Sequence, residues 1–160
     1  MLTLDSKPFW VQPGGVQLNS EDFTKEAKDL IVRGSNVYVG TDSMLKGDSC
    51  IFVTVIAFHN NSSKIAKYYY KKFKTVNCKY RNLKNKITEE VSLSVQAAQK
   101  VKEFSPLVPI ELHVDIGKNK ENKTRIMMST VSGWIKGMGY NLKVKPDSWA
   151  SSSIADNHTK

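Results

Sequence analysis

The chain has 160 residues, 40% of them hydrophobic, which is the length of one domain and enough apolar material to close one ordinary core. Its 24 Lys and Arg against 15 Asp and Glu leave a formal charge of +9, which favours anionic partners, nucleic acid above all, although the same lysines also serve plain solubility. The opening MLTLDSKPFWVQPGG lacks the basic start and unbroken apolar stretch of a secretory leader, and no run approaches membrane-spanning length, so a cytoplasmic protein without membrane attachment is expected. Cys50 and Cys78 have no CxxC or Cys/His spacing and read as reduced thiols, which argues against a zinc site or a disulfide framework.

Taken in chain order, Pro13, Gly14 and Gly15 mark a loop, after which Asn19 or Ser20 caps a helix with Phe23, Ala27, Leu30 and Ile31 on one face, ended by Gly34. We read 1–160 as one domain in which 1–34 is this loop and helix, an amino-terminal extension packed on the same core. VYVGTDS from Val37, a turn at Lys46-Gly47, and CIFVTVIAFH from Cys50 to His59 predict two antiparallel strands. A second turn at Asn60 to Ser63 leads to KIAKYYYKKFKTV, a third strand. From Asn82 to Phe104, Leu83, Ile87, Val91, Val95, Ala98 and Val101 recur at threes and fours, the stripe of an amphipathic helix stopped by Ser105-Pro106. IELHVDIG from Ile110 is a strand, Asn122 to Gly137 a helix, NLKVKP a strand, and Ser151 to Lys160 a terminal helix with Ser151 or Ser152 as its cap. The order predicts an α/β fold around a five-stranded mixed sheet, three antiparallel strands followed by strands that alternate with helices and pair in parallel.

The chemistry gathers on acids. A buried, unpaired carboxylate is costly, so Asp42 in VYVGTDS belongs near a strand end, and Asp115 in ELHVDIG, before Gly117 and a polar loop, repeats the pattern. Ligands of such sheets collect where strands end, and parallel neighbours would set Asp42 and Asp115 side by side. Glu90 borders the apolar stripe of its helix and can face the sheet, whereas Glu89 points more toward solvent. Asp156 lies in a terminal helix too small and polar to be simple core. Four carboxylates, Asp42, Glu90, Asp115 and Asp156, can thus converge on a site for Mg²⁺ or Mn²⁺, and two such ions about 3.5–4 Å apart can activate a water and stabilise the leaving oxygen of a phosphodiester. His113 and His158 are weaker candidates, a strand histidine being usually structural.

These residues resemble the YkuK-like family of ribonuclease H-like proteins, found in bacteria and some viruses. The resemblance runs from about Val37 to Lys160 and rests on VYVGTDS, FVTVIAFH, EEVSLSV, ELHVDIG, GWIKGMGY and above all KPDSWASSSIADNHTK. Ribonuclease H-like folds carry acids on the first strand, first crossover helix, fourth strand and terminal helix, which implies catalytic and metal-binding roles for Asp42, Glu90, Asp115 and Asp156 in that order. Asp147, in the closing motif, is a further candidate as ligand or helix cap.

The segment YYYKKFKTVNCKYRNLKNK offers Lys71, Lys72, Lys74, Lys79, Arg81 and Lys84 to a nucleic-acid backbone and exposed tyrosines to unpaired bases, while the same lysines would guard an edge strand against aggregation. The leading expectation is a metal-dependent nuclease acting on RNA, an RNA–DNA hybrid or structured DNA. The alternatives are a catalytically silent nucleic-acid-binding module and an interaction domain in which Trp134 and Trp149 are only core.

Overall fold

The computed structural model describes residues 1–60, 65–76, 78–116, 122–145 and 147–160. The strands are β1 (Phe9–Val11), β2 (Gln17–Asn19), β3 (Asn36–Lys46), β4 (Ser49–Asn60), β5 (Ile65–Thr75), β6 (Ile110–Val114) and β7 (Asn141–Val144). The helices are α1 (Ser20–Val32), α2 (Leu83–Phe104), α3 (Asn122–Gly137) and α4 (Asp156–Thr159), the last entered through a π-helical stretch, Ala150–Ala155. One mixed sheet has the order β2-β1-β5-β4-β3-β6-β7.

The expected antiparallel meander is β3-β4-β5, turned at Gly47, and the expected parallel pairs are β3 with β6 and β6 with β7. The sheet has seven strands where five were expected. The Pro13-Gly14-Gly15 loop is the tip of a hairpin: both glycines have φ +93°, and the Val16 carbonyl accepts from the Gln12 N–H at 2.8 Å. Its strands have three residues each, too short to show alternation, and they exist because Trp10 stacks on Phe23 at 4.8 Å and Val11 pairs with Tyr70 of β5. The turn expected at Asn60 to Ser63 (apart from Asn60) and the loop from Gly117 lie outside the described residues.

Asn19 caps α1 by accepting from the Asp22 N–H at 2.8 Å, and Asn82 caps α2 in the same way through Asn85 at 3.3 Å. The buried stripes of α1 (Phe23, Ala27) and α2 (Ile87, Val91, Val95, Ala98, Val101) close the principal core over Val37, Val39, Phe52, Ile56, Phe58 and Tyr69. The opposite face carries a smaller cluster of Ile51, Val53, Val55, Ala57 and Ala155, rimmed by Tyr38, Tyr68, Tyr70, Trp149 and Ile154. The terminal segment that covers this face starts at Ala150, and Ser151 and Ser152 lie inside it instead of capping it. Asp147 is not the cap either: its side chain is exposed, its N–H donates to the Val144 carbonyl at 2.8 Å, and the cap position belongs to Trp149. Among the described residues no helix is long and apolar enough to cross a membrane, and both cysteines are free thiols, Cys50 buried and Cys78 exposed.

Candidate carboxylate site

β3 is central, between β4 and β6, as its apolar or small residues on both faces led one to expect. It pairs with β4 along its whole length but with β6 only from Val37–Ile110 to Gly40–His113, so that Thr41 onward runs past the end of β6. Asp42 stands in this overhang. Val53 of β4 is its direct partner, and Lys72 of β5 is the partner of Val53. The parallel registers, continued past their last pairs, set Asp115 level with Asp42 and Lys145 level with Asp115. Read across the sheet and just past the ends of β6 and β7, the order is therefore Lys72, Val53, Asp42, Asp115, Lys145, acids at the centre and a lysine at either end.

Alternation along β3 divides its contacts between the two faces. Thr41 Oγ1 bonds Ser94 Oγ of α2 at 2.8 Å and Thr54 Oγ1 at 3.0 Å, and Ser43 Oγ donates to Glu90 Oε1 at 2.5 Å. Tyr38, Gly40 and Asp42 face the terminal segment. At Gly40 a Cβ would lie 2.6 Å from Ser151 N and 2.8 Å from Ala150 C, so only glycine lets the segment's backbone pack against the strand. His113, fully buried, completes the dock: its Nδ1 accepts from the Ala150 N–H at 3.0 Å and its Nε2 lies 2.8 Å from Glu111 Oε1. A backbone N–H only donates, so Nδ1 carries no proton and Nε2–H gives to Glu111. Burial holds this imidazole below its ordinary value. His113 is thus committed to holding the terminal segment, and the role of metal helper is not open to it.

The dock brings Asp156 to Asp42. Burial first, then the Asp156 carboxyl beside it, pushes Asp42 up to about 6. Asp156 itself is only half-buried and also meets Lys160 Nζ at 3.3 Å. Glu90 is buried on the α2 side, and burial drives it up to about 8 against the Ser43 bond and the charges of Lys86 and Lys145; ionised Asp42 adds to the rise. Asp115 is engaged elsewhere, with Lys145 Nζ at 2.9 Å and Ser152 Oγ at 3.3 Å from its Oδ1. Of the four expected acids the fold brings Asp156 to Asp42 and sets Glu90 within the field of Asp42, while Asp115 faces Lys145 and Asp156 also faces Lys160. Among the described residues no three His, Cys, Asp or Glu side chains form a group able to hold a metal ion. The Asp42–Asp156 pair still offers oxygen donors of the kind that hard cations take.

Glu89 does not point to solvent. It is buried and accepts from the Leu2 N–H, because the amino-terminal segment folds over α2 there. The basic segment divides just as sharply by strand parity. Lys71 lies in the interior, its Nζ 3.3 Å from the Leu4 carbonyl and 4.7 Å from the Trp10 ring centroid, with burial lowering its pKa, and so cannot meet a substrate. Lys72 and Lys74 are exposed on the same face as Asp42. Lys79 sits over the Tyr80 ring at 5.0 Å, Arg81 pairs with Asp48 at 3.4 Å, and Lys84 is exposed at the start of α2. The tyrosines are not free for bases: Tyr69 is core, Tyr70 stacks on His158 at 4.0 Å, and the Tyr68 hydroxyl meets His158 Nε2 at 3.0 Å.

Sequence reasoning passed over Gly40, Ser43 and Lys145. A glycine inside a strand run was the one available signal of close backbone approach; Ser43 and Lys145 gain their roles only through register.

A family model described as Ribonuclease H-like matches residues 20–160, from the first residue of α1 to Lys160. The hairpin β1-β2, source of the two unforeseen strands, precedes that span. The chain is also 28% identical over 137 residues to the uncharacterized protein YkuK of Bacillus subtilis (strain 168), covering 76% of this chain and 77% of that one. With the mixed sheet and flanking helices, the match shows that the chain belongs to the ribonuclease H-like family.

Proposed function

We propose that the chain is a divalent-cation-dependent phosphodiesterase acting on nucleic acid, whether RNA, an RNA–DNA hybrid or structured DNA. The observation that carries this reading is the approach of half-buried Asp156 to buried Asp42, held at the overhang of β3 by a segment that a glycine and a buried histidine dock there. Setting a second carboxyl against a buried one costs stability unless a cation is to lie between them. Asp42 and Asp156 would hold Mg²⁺ or Mn²⁺. Such an ion, when bound, lowers the pKa of water and neutralises phosphoryl charge. Around it, Glu90 Oε carries a proton near neutral pH, where a group of pKa about 8 is suited to proton transfer. Lys72 and Lys74, on the same face, attract and align the phosphate backbone.

A second reading, a silent binding module, is favoured by one observation: the Lys145 ammonium already neutralises Asp115. Labelled RNA, hybrid and DNA incubated with Mg²⁺ or Mn²⁺ decide between them. Cleavage that Asp42→Asn lowers by at least about 100-fold is expected, since even groups that only orient metal ligands cost about 10–100-fold. Retention of nucleic acid without cleavage of any of the three supports the silent module.

A further inference from the structure

Lys145 is not a side chain that happens to reach an acid. Val144 pairs with Val114, and the Lys145 N–H donates to the Ile116 carbonyl at 3.2 Å, so the sheet register places this lysine beside Asp115. Ser152 Oγ, from the terminal segment, donates to the same Oδ1 that faces the ammonium. The pair is also near enough to the other acids for the Lys145 charge to act on Glu90.

We propose that the Lys145 ammonium stands where a second divalent cation would otherwise sit, making this a one-cation site in which Asp115 holds a lysine and not a metal. The inference rests on reading Asp42 and Asp156 as the holders of the first cation. Charge supports it. Two of the three aspartates already face an ammonium, Asp115 that of Lys145 at 2.9 Å and Asp156 that of Lys160 at 3.3 Å, so one divalent ion suffices for the remaining charge and two would strongly overcharge the site. An ammonium has three donors on a flexible stem, so it can keep Asp115 and still reach a phosphate oxygen. It supplies fixed positive charge where an oxyanion develops, and requires no assembly at the moment of reaction.

The lysine side chain is 52% exposed, and exposed pairs contribute little to stability, so Lys145→Gln folds. Mn²⁺ is titrated calorimetrically into the full wild-type chain and into Lys145→Gln, with bound Mn²⁺ counted independently by electron paramagnetic resonance. One ion in the wild type and a second, weaker ion in Lys145→Gln are expected. Two ions in the wild type overturn the inference while sparing the cation site, as does a single ion of unchanged affinity in Lys145→Gln. No ion in either protein removes the Asp42–Asp156 site itself and this inference with it.

Discussion

On the α1 and α2 side the sheet contributes Phe52, Ile56, Phe58, Tyr69 and Phe73, large apolar groups that meet the stripes of two full-length helices. On the other side Val53, Val55 and Ala57 meet a terminal segment of Ala150 to Thr159, and the contact depends on a missing Cβ and a buried imidazole. The first face draws its stability from area and tolerates small adjustments. The second depends on a few close distances. A fold arranged this way keeps its scaffold when its site is altered, which is what allows site variants to be tested as folded proteins.

The largest effect should come from opening the first face: Phe58→Ala, at a side chain 1% exposed, is expected to lose about 3–5 kcal/mol in denaturant unfolding. A loss no greater than that of a second-face truncation such as Ile154→Ala would break the contrast. Gly40→Val is expected to cost less, about 1–3 kcal/mol, because the strand stays paired and the terminal segment yields. It should nonetheless part Asp156 from Asp42 and so abolish Mn²⁺ binding, since the added carbons meet backbone at 2.6 and 2.8 Å. Wild-type affinity for Mn²⁺ in Gly40→Val would show that the dock does not assemble the pair.

A further effect is one of pH. Glu90 is raised from 4.5 to about 8, so the folded chain holds its proton more tightly than the unfolded chain does. Its contribution is therefore fully present below about pH 4.5 and is lost as pH rises through about 8. Glu90→Gln cannot lose that proton. In chelator, the melting temperature of Glu90→Gln should gain on the wild type as pH rises from 5 to 9. A constant difference across that range would mean that Glu90 does not titrate there.

Much of this was legible in order and periodicity. Asn19 and Asn82 are caps where short polar side chains precede apolar stripes, and Val37, Cys50 and Ile110 open or lie in the β runs they announced. The short hairpin β1-β2 was not legible, because three-residue strands carry no pattern and depend on Trp10 finding Phe23. Among charged residues local reading fared worst. Lys71 and Lys72 are adjacent in sequence, yet one is buried under Trp10 and the other faces Asp42's side of the sheet, and Glu89, expected outside, lies under Leu2.

By itself, the sequence determined the alternation of strands and helices and which four acids were candidates for a site, since apolar periodicity and strand-end carboxylates are local properties. Only the tertiary structure decided which acids meet. Pairing across β3, β6 and β7 brings Lys145 to Asp115, and the missing Cβ of Gly40 lets the terminal segment bring Asp156 to Asp42. Both juxtapositions join residues distant in the chain through register and close packing, and neither leaves a trace in the spacing of the residues it joins.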